Sequence, residues 1–184
     1  MDNPTFTNTQ PITRTAGRRK FELMQDYTCY FYLHGHLYKL VILKGFIYDG
    51  ASIPRWLWSV LGITPKGQHD SGTIFHDIVY MLFKARINGK LVTLVGHEND
   101  RCTHELRAFV DDKWVSASDI ISRNEADDIM FEIIESTENV DIKNWRLACM
   151  RMGIRIGGGK YWRRSTPLSQ INPKQCGDKV KATF

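Results

Sequence analysis

The sequence predicts an α+β fold, a small antiparallel sheet packed by three or four helices with a β-hairpin insertion. Three observations lead there. Aromatic and β-branched residues run through Tyr27–Leu33 and His36–Ile42 on either side of His34-Gly35, a hairpin pattern. Later stretches switch to apolar residues three and four apart behind helix-start signals, chief among them the capping box Ser122-x-x-Glu125. A chain of 184 residues, 42% of them hydrophobic, suits one domain whose core needs neither metal nor disulfide staples.

The elements follow in order. Residues 1–20, rich in Thr, Asn, Pro and Gly, read as an N-terminal arm, and the domain runs from 21 to 164. After the hairpin a third strand is expected at Gly45–Tyr48. The period then changes: Ser52 is a good N-cap, Pro54 belongs in a first turn, and Trp56, Leu57, Val60 and Leu61 form one apolar face of a short helix ending at Gly62. A second helix is expected from Ser71 to about Lys84, with Ile74, Ile78, Met81 and Leu82 inward. Turn signals at Asn88-Gly89 and Asp111-Asp112 among short alternating runs mark 88–118 as the β insertion. The capping box opens a third helix through Glu135, and a fourth from Asp141 ends at Gly157-Gly158-Gly159. Residues 165–184 have the composition of a C-terminal arm.

The net charge of +5 is carried by the ends, with Arg14, Arg18, Arg19 and Lys20 near the start and a run of Lys and Arg from Arg151 onward. Basic ends suit an acidic partner, with nucleic acid as a secondary expectation. Cys29, Cys102, Cys149 and Cys176 include no CxxC pair and read as free thiols in a reducing compartment. No run approaches the ~18 apolar residues of a membrane span, and the first residues lack an export signal. These features place the protein in the cytoplasm of its cell during synthesis.

Two stretches hold the residue types that carry chemistry. In Asp49-Gly50-Ala51-Ser52-Ile53-Pro54-Arg55, Asp49 sits at a strand end beside a helix start, where a carboxylate can take local N–H groups or meet a substrate. In Phe75-His76-Asp77-Ile78-Val79-Tyr80, His76 and Tyr80 lie one turn apart and share a face, while Asp77 points about 100° away. Asp127, beside the apolar stripe of the third helix, is placed to face His76, and a histidine between two carboxylates can be a general base. Candidate catalytic residues are therefore Asp49, His76, Asp77 and Asp127, with Ser52, Arg55 and Tyr80 as candidate substrate contacts. No cofactor is required; a divalent metal at these carboxylates is the alternative. The cluster His97, Glu98, Asp100, Cys102, His104 and Glu105 fits no standard zinc spacing and reads as a polar loop.

The turn Asp49–Arg55, the helix motif His76-Asp77-x-x-Tyr80 and the motif Arg123-x-x-Ala126-Asp127, in that order, resemble the phage and prophage family known as domain of unknown function 1353. The resemblance spans roughly residues 21 to 162 and implies a phage origin and a small α+β domain, without a reaction. The His…His-Asp…Asp order is also similar to metal-dependent HD phosphohydrolases, but those are all-helical and this chain has strong strands.

Two functions fit this reading. The first is a phage accessory or virion protein, tail-associated or otherwise part of the particle, docking on other phage proteins through its basic arms; every motif residue has a sufficient architectural role. The second is a hydrolase with an Asp/His/Asp site acting on a cell-wall or phosphate-containing substrate. Convergence of the four acidic and imidazole side chains in a cleft is the observation that favours the second, and a His76 packed without access to a cavity would count against it.

Overall fold

The structure, a computed structural model, describes residues 6–17, 20–50, 67–82, 84–96 and 103–163. The helix expected from Ser52 to Gly62 and all of the C-terminal arm, 165–184, lie outside them. Strands come first: β1 Thr13–Gly17, β2 Lys20–Leu23, β3 Tyr27–Leu33, β4 His36–Ile42 and β5 Ile47–Tyr48. Helix α1, Asp70–Met81, is followed by β6 Lys84–Ile87, β7 Lys90–Val95, β8 His104–Val110, β9 Lys113–Ser116 and β10 Asp119–Ser122. The chain then turns helical, with α2 Arg123–Glu135, α3 Asn144–Gly157 and the single turn α4 Gly159–Trp162. Among the described residues no helix is long and apolar enough to cross a membrane.

This corrects the expected architecture. Instead of one sheet from residues 21–48 packed by helices, the strands form three antiparallel sheets, ordered β1-β2-β5, β10-β7-β6 and β3-β4-β8-β9, with four short helices among the described residues. The fold is β-rich. Residues 88–118 do not form a hairpin hung on an α+β core: β8 lies along β4 from Tyr38↔Ala108 to Ile42↔His104, and β7 pairs with β10. Local periodicity finds strands but not their partners, and β4 would otherwise leave one edge of its ladder unpaired.

The turns form where the side chains demand them. His34-Gly35 and Asn88-Gly89 have positive φ at both positions, 50° and 80° and 49° and 75°, so β3–β4 and β6–β7 close as two-residue hairpins. Asp111 and Asp112, at 47° and 59°, do the same for β8–β9. The capping box is complete: the Ser122 hydroxyl accepts from the Glu125 N–H, and the Glu125 carboxylate accepts from the Ser122 N–H.

The segment from Phe6 is laid on the domain. The Asn8 amide donates to the Tyr30 carbonyl at 3.0 Å and accepts from the Tyr30 N–H at 2.8 Å, while Phe6 stacks on the Tyr30 ring with centroids 4.7 Å apart. Beneath lies the main core, where Phe31, Leu40, Ile42 and Leu106 of the four-stranded sheet meet Phe75, Ile78, Ile129 and Ile133 of α1 and α2. A second cluster joins Met130, Phe131 and Ile134 of α2 to Leu147, Met150 and Ile154 of α3. Helices α1 and α2 cross close together at Gly72, where an added Cβ would sit 2.2 Å from the Met130 carbonyl oxygen.

Candidate functional site

Residues 70 through 80 of α1 are all buried, so every polar side chain on it needs an internal partner. His76 and Tyr80 share the face turned to the start of α2, and there they meet Asp127. The His76 Nε2 lies 3.2 Å from Asp127 Oδ1, and the Tyr80 hydroxyl donates to the same oxygen at 2.7 Å. A carboxylate only accepts, so Nε2 carries the proton and Nδ1 is left as the ring's second, titrating nitrogen. The His76 and Tyr80 rings stack with centroids 3.9 Å apart, and the edge of Trp162 closes on Tyr80 at 4.8 Å. Ring orientation is thus held by a hydrogen bond and two aromatic contacts.

Asp77 lies round the helix from that face. Its Oδ1 is 3.8 Å from His76 Nδ1, too long for a hydrogen bond, and its Oδ2 accepts the Gly50 N–H at 3.2 Å. Asp49 is exposed at the end of β5 and acts on Asp77 rather than on His76. The network therefore climbs from Asp127, 0% exposed, through His76 at 3% and Asp77 at 5%, to the surface at Asp49. Ser52 and Arg55 lie outside the described residues.

Burial disfavours a charged His76, but the Asp127 hydrogen bond and the nearby charges of Asp77 and Asp127 outweigh it and hold its pKa above the ordinary 6.5. Burial drives the Asp77 carboxyl up to about 7; His76 pulls it down and the neighbouring Asp49 pushes it up. Burial and the Asp127 bond also raise the Tyr80 phenol, which keeps its proton as donor. The Asp77 carboxyl thus titrates close to neutrality beside an imidazole held above its ordinary value.

The motifs contain Arg123 but give it no role, and they do not reach Arg155 or the glycines after α3. Asp127 Oδ2 accepts no hydrogen bond, yet Arg123 Nε and Arg155 Nε each stand 3.8 Å from it, an uneven charge cradle at 0% exposure. Arg123 Nη2 also donates to the carbonyls of Ile154, at 3.0 Å, and Arg155, tying α2 to the end of α3. The glycine run ends the long helix at Gly157, as expected, but Gly158 keeps a right-handed backbone, φ −67°, and the single turn α4 follows it. A Cβ on Gly158 would lie 2.8 Å from the Tyr80 hydroxyl, and one on Gly159 would lie 3.1 Å from Arg123 Nη1. These glycines allow close approach, and a lone motif scan reads only their helix-breaking side.

Residues 21–153 match the family model for proteins of unknown function DUF1353. The chain belongs to this family. The DUF1353 span contains Asp49, His76, Asp77, Tyr80, Arg123 and Asp127, and it ends within α3, before Trp162. No curated protein and no solved structure matches the chain significantly.

Other titratable groups lie apart from this site. His104 accepts the Gly96 N–H at Nε2, pairs with the Thr103 hydroxyl at Nδ1, and is pushed down to about 4 by burial, so it is a neutral, satisfied core histidine. Its ring edges a cavity of about 360 Å³ with Glu105 and Arg107, and another of about 480 Å³ opens between Gln10 and Gln68; neither reaches His76. Among the described residues no group of three or more His, Cys, Asp or Glu forms a metal-holding set.

Proposed function

We propose that the chain is a hydrolase in which His76, fixed through Nε2 by Asp127, is the general base, acting on a cell-wall or phosphate-containing substrate in a phage setting. One observation carries this: Asp127 Oδ1 takes both the His76 Nε2–H and the Tyr80 hydroxyl, fixing tautomer and ring together. Structural histidines need one satisfied nitrogen on each side. His76 instead has one nitrogen locked and the other facing a carboxyl that titrates near 7 across 3.8 Å.

In the proposed reaction Nδ1 takes a proton from water, and the water oxygen attacks the carbonyl carbon or phosphorus. The leaving oxygen then receives that proton from the imidazolium. Asp127 stabilises the charged ring that forms between these steps. The substrate approaches from the Asp77–Asp49 side, because there the network meets solvent. Docking through the arms would rest on residues 1–5 and 165–184, outside the described residues, while residues 6–17 are held by the domain itself.

The test is a panel of chromogenic carboxyl esters, phosphomonoesters and phosphodiesters, with purified peptidoglycan, given to the full chain with and without divalent cations. One substrate class should be turned over, and His76→Asn should lose about 10²–10⁴-fold while melting as a folded protein. Turnover of none, or an unimpaired His76→Asn, contradicts the proposal.

A further inference from the structure

Helix α3 is apolar on two sides. Its inner side, Leu147, Met150 and Ile154, fills the second core cluster against α2. Its outer side carries Trp145, Met152 and Ile156 at i, i+7 and i+11, within an arc of about 40° round the helix. These are 50%, 59% and 80% exposed, and Tyr161 of α4, the next element along the chain, is 52% exposed. A surface helix ordinarily presents one apolar stripe and a polar back, so a second stripe in water marks a face built for a partner.

The charge round that stripe indicates which partner. From Lys143 to Arg163 the chain has six cations, Lys143, Arg146, Arg151, Arg155, Lys160 and Arg163, and no carboxylate. Arg151 and Arg155 are engaged with Asp128 and Glu135 of α2. Lys143, Lys160 and Arg163 are exposed and pair with no carboxylate among the described residues. Large apolar and aromatic side chains on a helix packed on its own domain, with unpaired cations along the same stretch of chain, match what an anionic lipid surface recognises: rings and aliphatic groups enter the headgroup boundary and the cations meet lipid phosphates. A nucleic acid would use the cations and the aromatic rings but has no use for Met152 and Ile156.

We infer that the outer face of α3, continued by α4, docks the protein on an anionic membrane surface. This goes beyond the hydrolase reading and does not depend on it, because binding is measured without turnover.

The experiment is co-sedimentation of the full chain with phosphatidylcholine vesicles, with and without phosphatidylglycerol. Binding is expected only with phosphatidylglycerol, and it should weaken as salt is raised. The double variant Met152→Ser, Ile156→Ser should bind about tenfold or more weakly. Charge reversal at Lys143, Lys160 and Arg163 should weaken binding about a hundredfold or more, taking roughly fivefold per cation. All these side chains are exposed, so both variants should melt as the wild type does. Four results would overturn the inference: no vesicle binding, equal binding to phosphatidylcholine alone, binding indifferent to both variants, or a wild-type dimer that the Met152/Ile156 variant dissociates. Retention on duplex DNA without vesicle binding would assign the face to nucleic acid instead.

Discussion

Asp127→Asn is expected to lower turnover by about 10²–10⁴-fold with the chain still folded. The amide keeps the shape of the carboxyl, but its NH₂ can donate where only acceptance works. His76 would then be free to flip to the tautomer with Nε2 unprotonated, the wrong nitrogen for a base directed at Asp77 and solvent. The pH dependence separates this from mere structural damage. The Asp127 bond and charge help hold His76 above its ordinary pKa, and a base must be unprotonated to act, so wild-type turnover should rise with pH through that elevated value. In Asp127→Asn the support is gone, and the acid limb of whatever activity remains should move to lower pH. Removing the charge also leaves Arg123 and Arg155 facing a neutral group at 3.8 Å, at a cost of about 1–3 kcal/mol of stability. Initial rates across pH, with thermal melts of both proteins, check every part of this.

Gly72→Ala should be the most damaging small change in the core. The new methyl would stand 2.2 Å from the Met130 carbonyl oxygen and 2.6 Å from Ile134 Cγ1. A side chain can swing aside, but a helix carbonyl cannot, so α1 and α2 must separate. Overpacking of this kind costs about 3 kcal/mol, and alanine's better helix propensity returns about 1 kcal/mol, leaving a net loss of roughly 2 kcal/mol. For a chain of this size that corresponds to about 4–8 °C in melting temperature. The same contact sets the spacing of the site, since Gly72 precedes His76 by one helical turn and Met130 follows Asp127 by three residues. Turnover should therefore fall along with stability, which a melt and a rate measured on one preparation will show.

These two residues also mark where the sequence was legible. His76, Tyr80 and Asp127 could be brought together on paper because helical spacing fixes which side chains share a face, and the Ser122–Glu125 box placed the start of α2. His34-Gly35 and Asn88-Gly89 announced their turns because few residues accept positive φ. Pairing over long separations had no such local signature: nothing in His104–Val110 says that it lies along β4, and so a three-sheet, β-rich fold was read as one sheet and helices. Helical spacing does not say which neighbour Asp49 acts on: the chain brings the Gly50 N–H to Asp77 and sets Asp49 at the exposed end of the network. The roles of Arg155 and Gly158 in the site have no local signature, because they depend on the end of α3 returning to Asp127 and Tyr80, a tertiary fact.

The protonation of His76 tests the central claim most directly, by NMR of isotope-labelled histidine ring nitrogens in the full chain across pH. The account predicts that Nε2 keeps its proton throughout while Nδ1 titrates with a pKa above 6.5, and that Asp127→Asn lowers that value. A neutral ring carrying its proton on Nδ1, or a ring that never titrates, would contradict it.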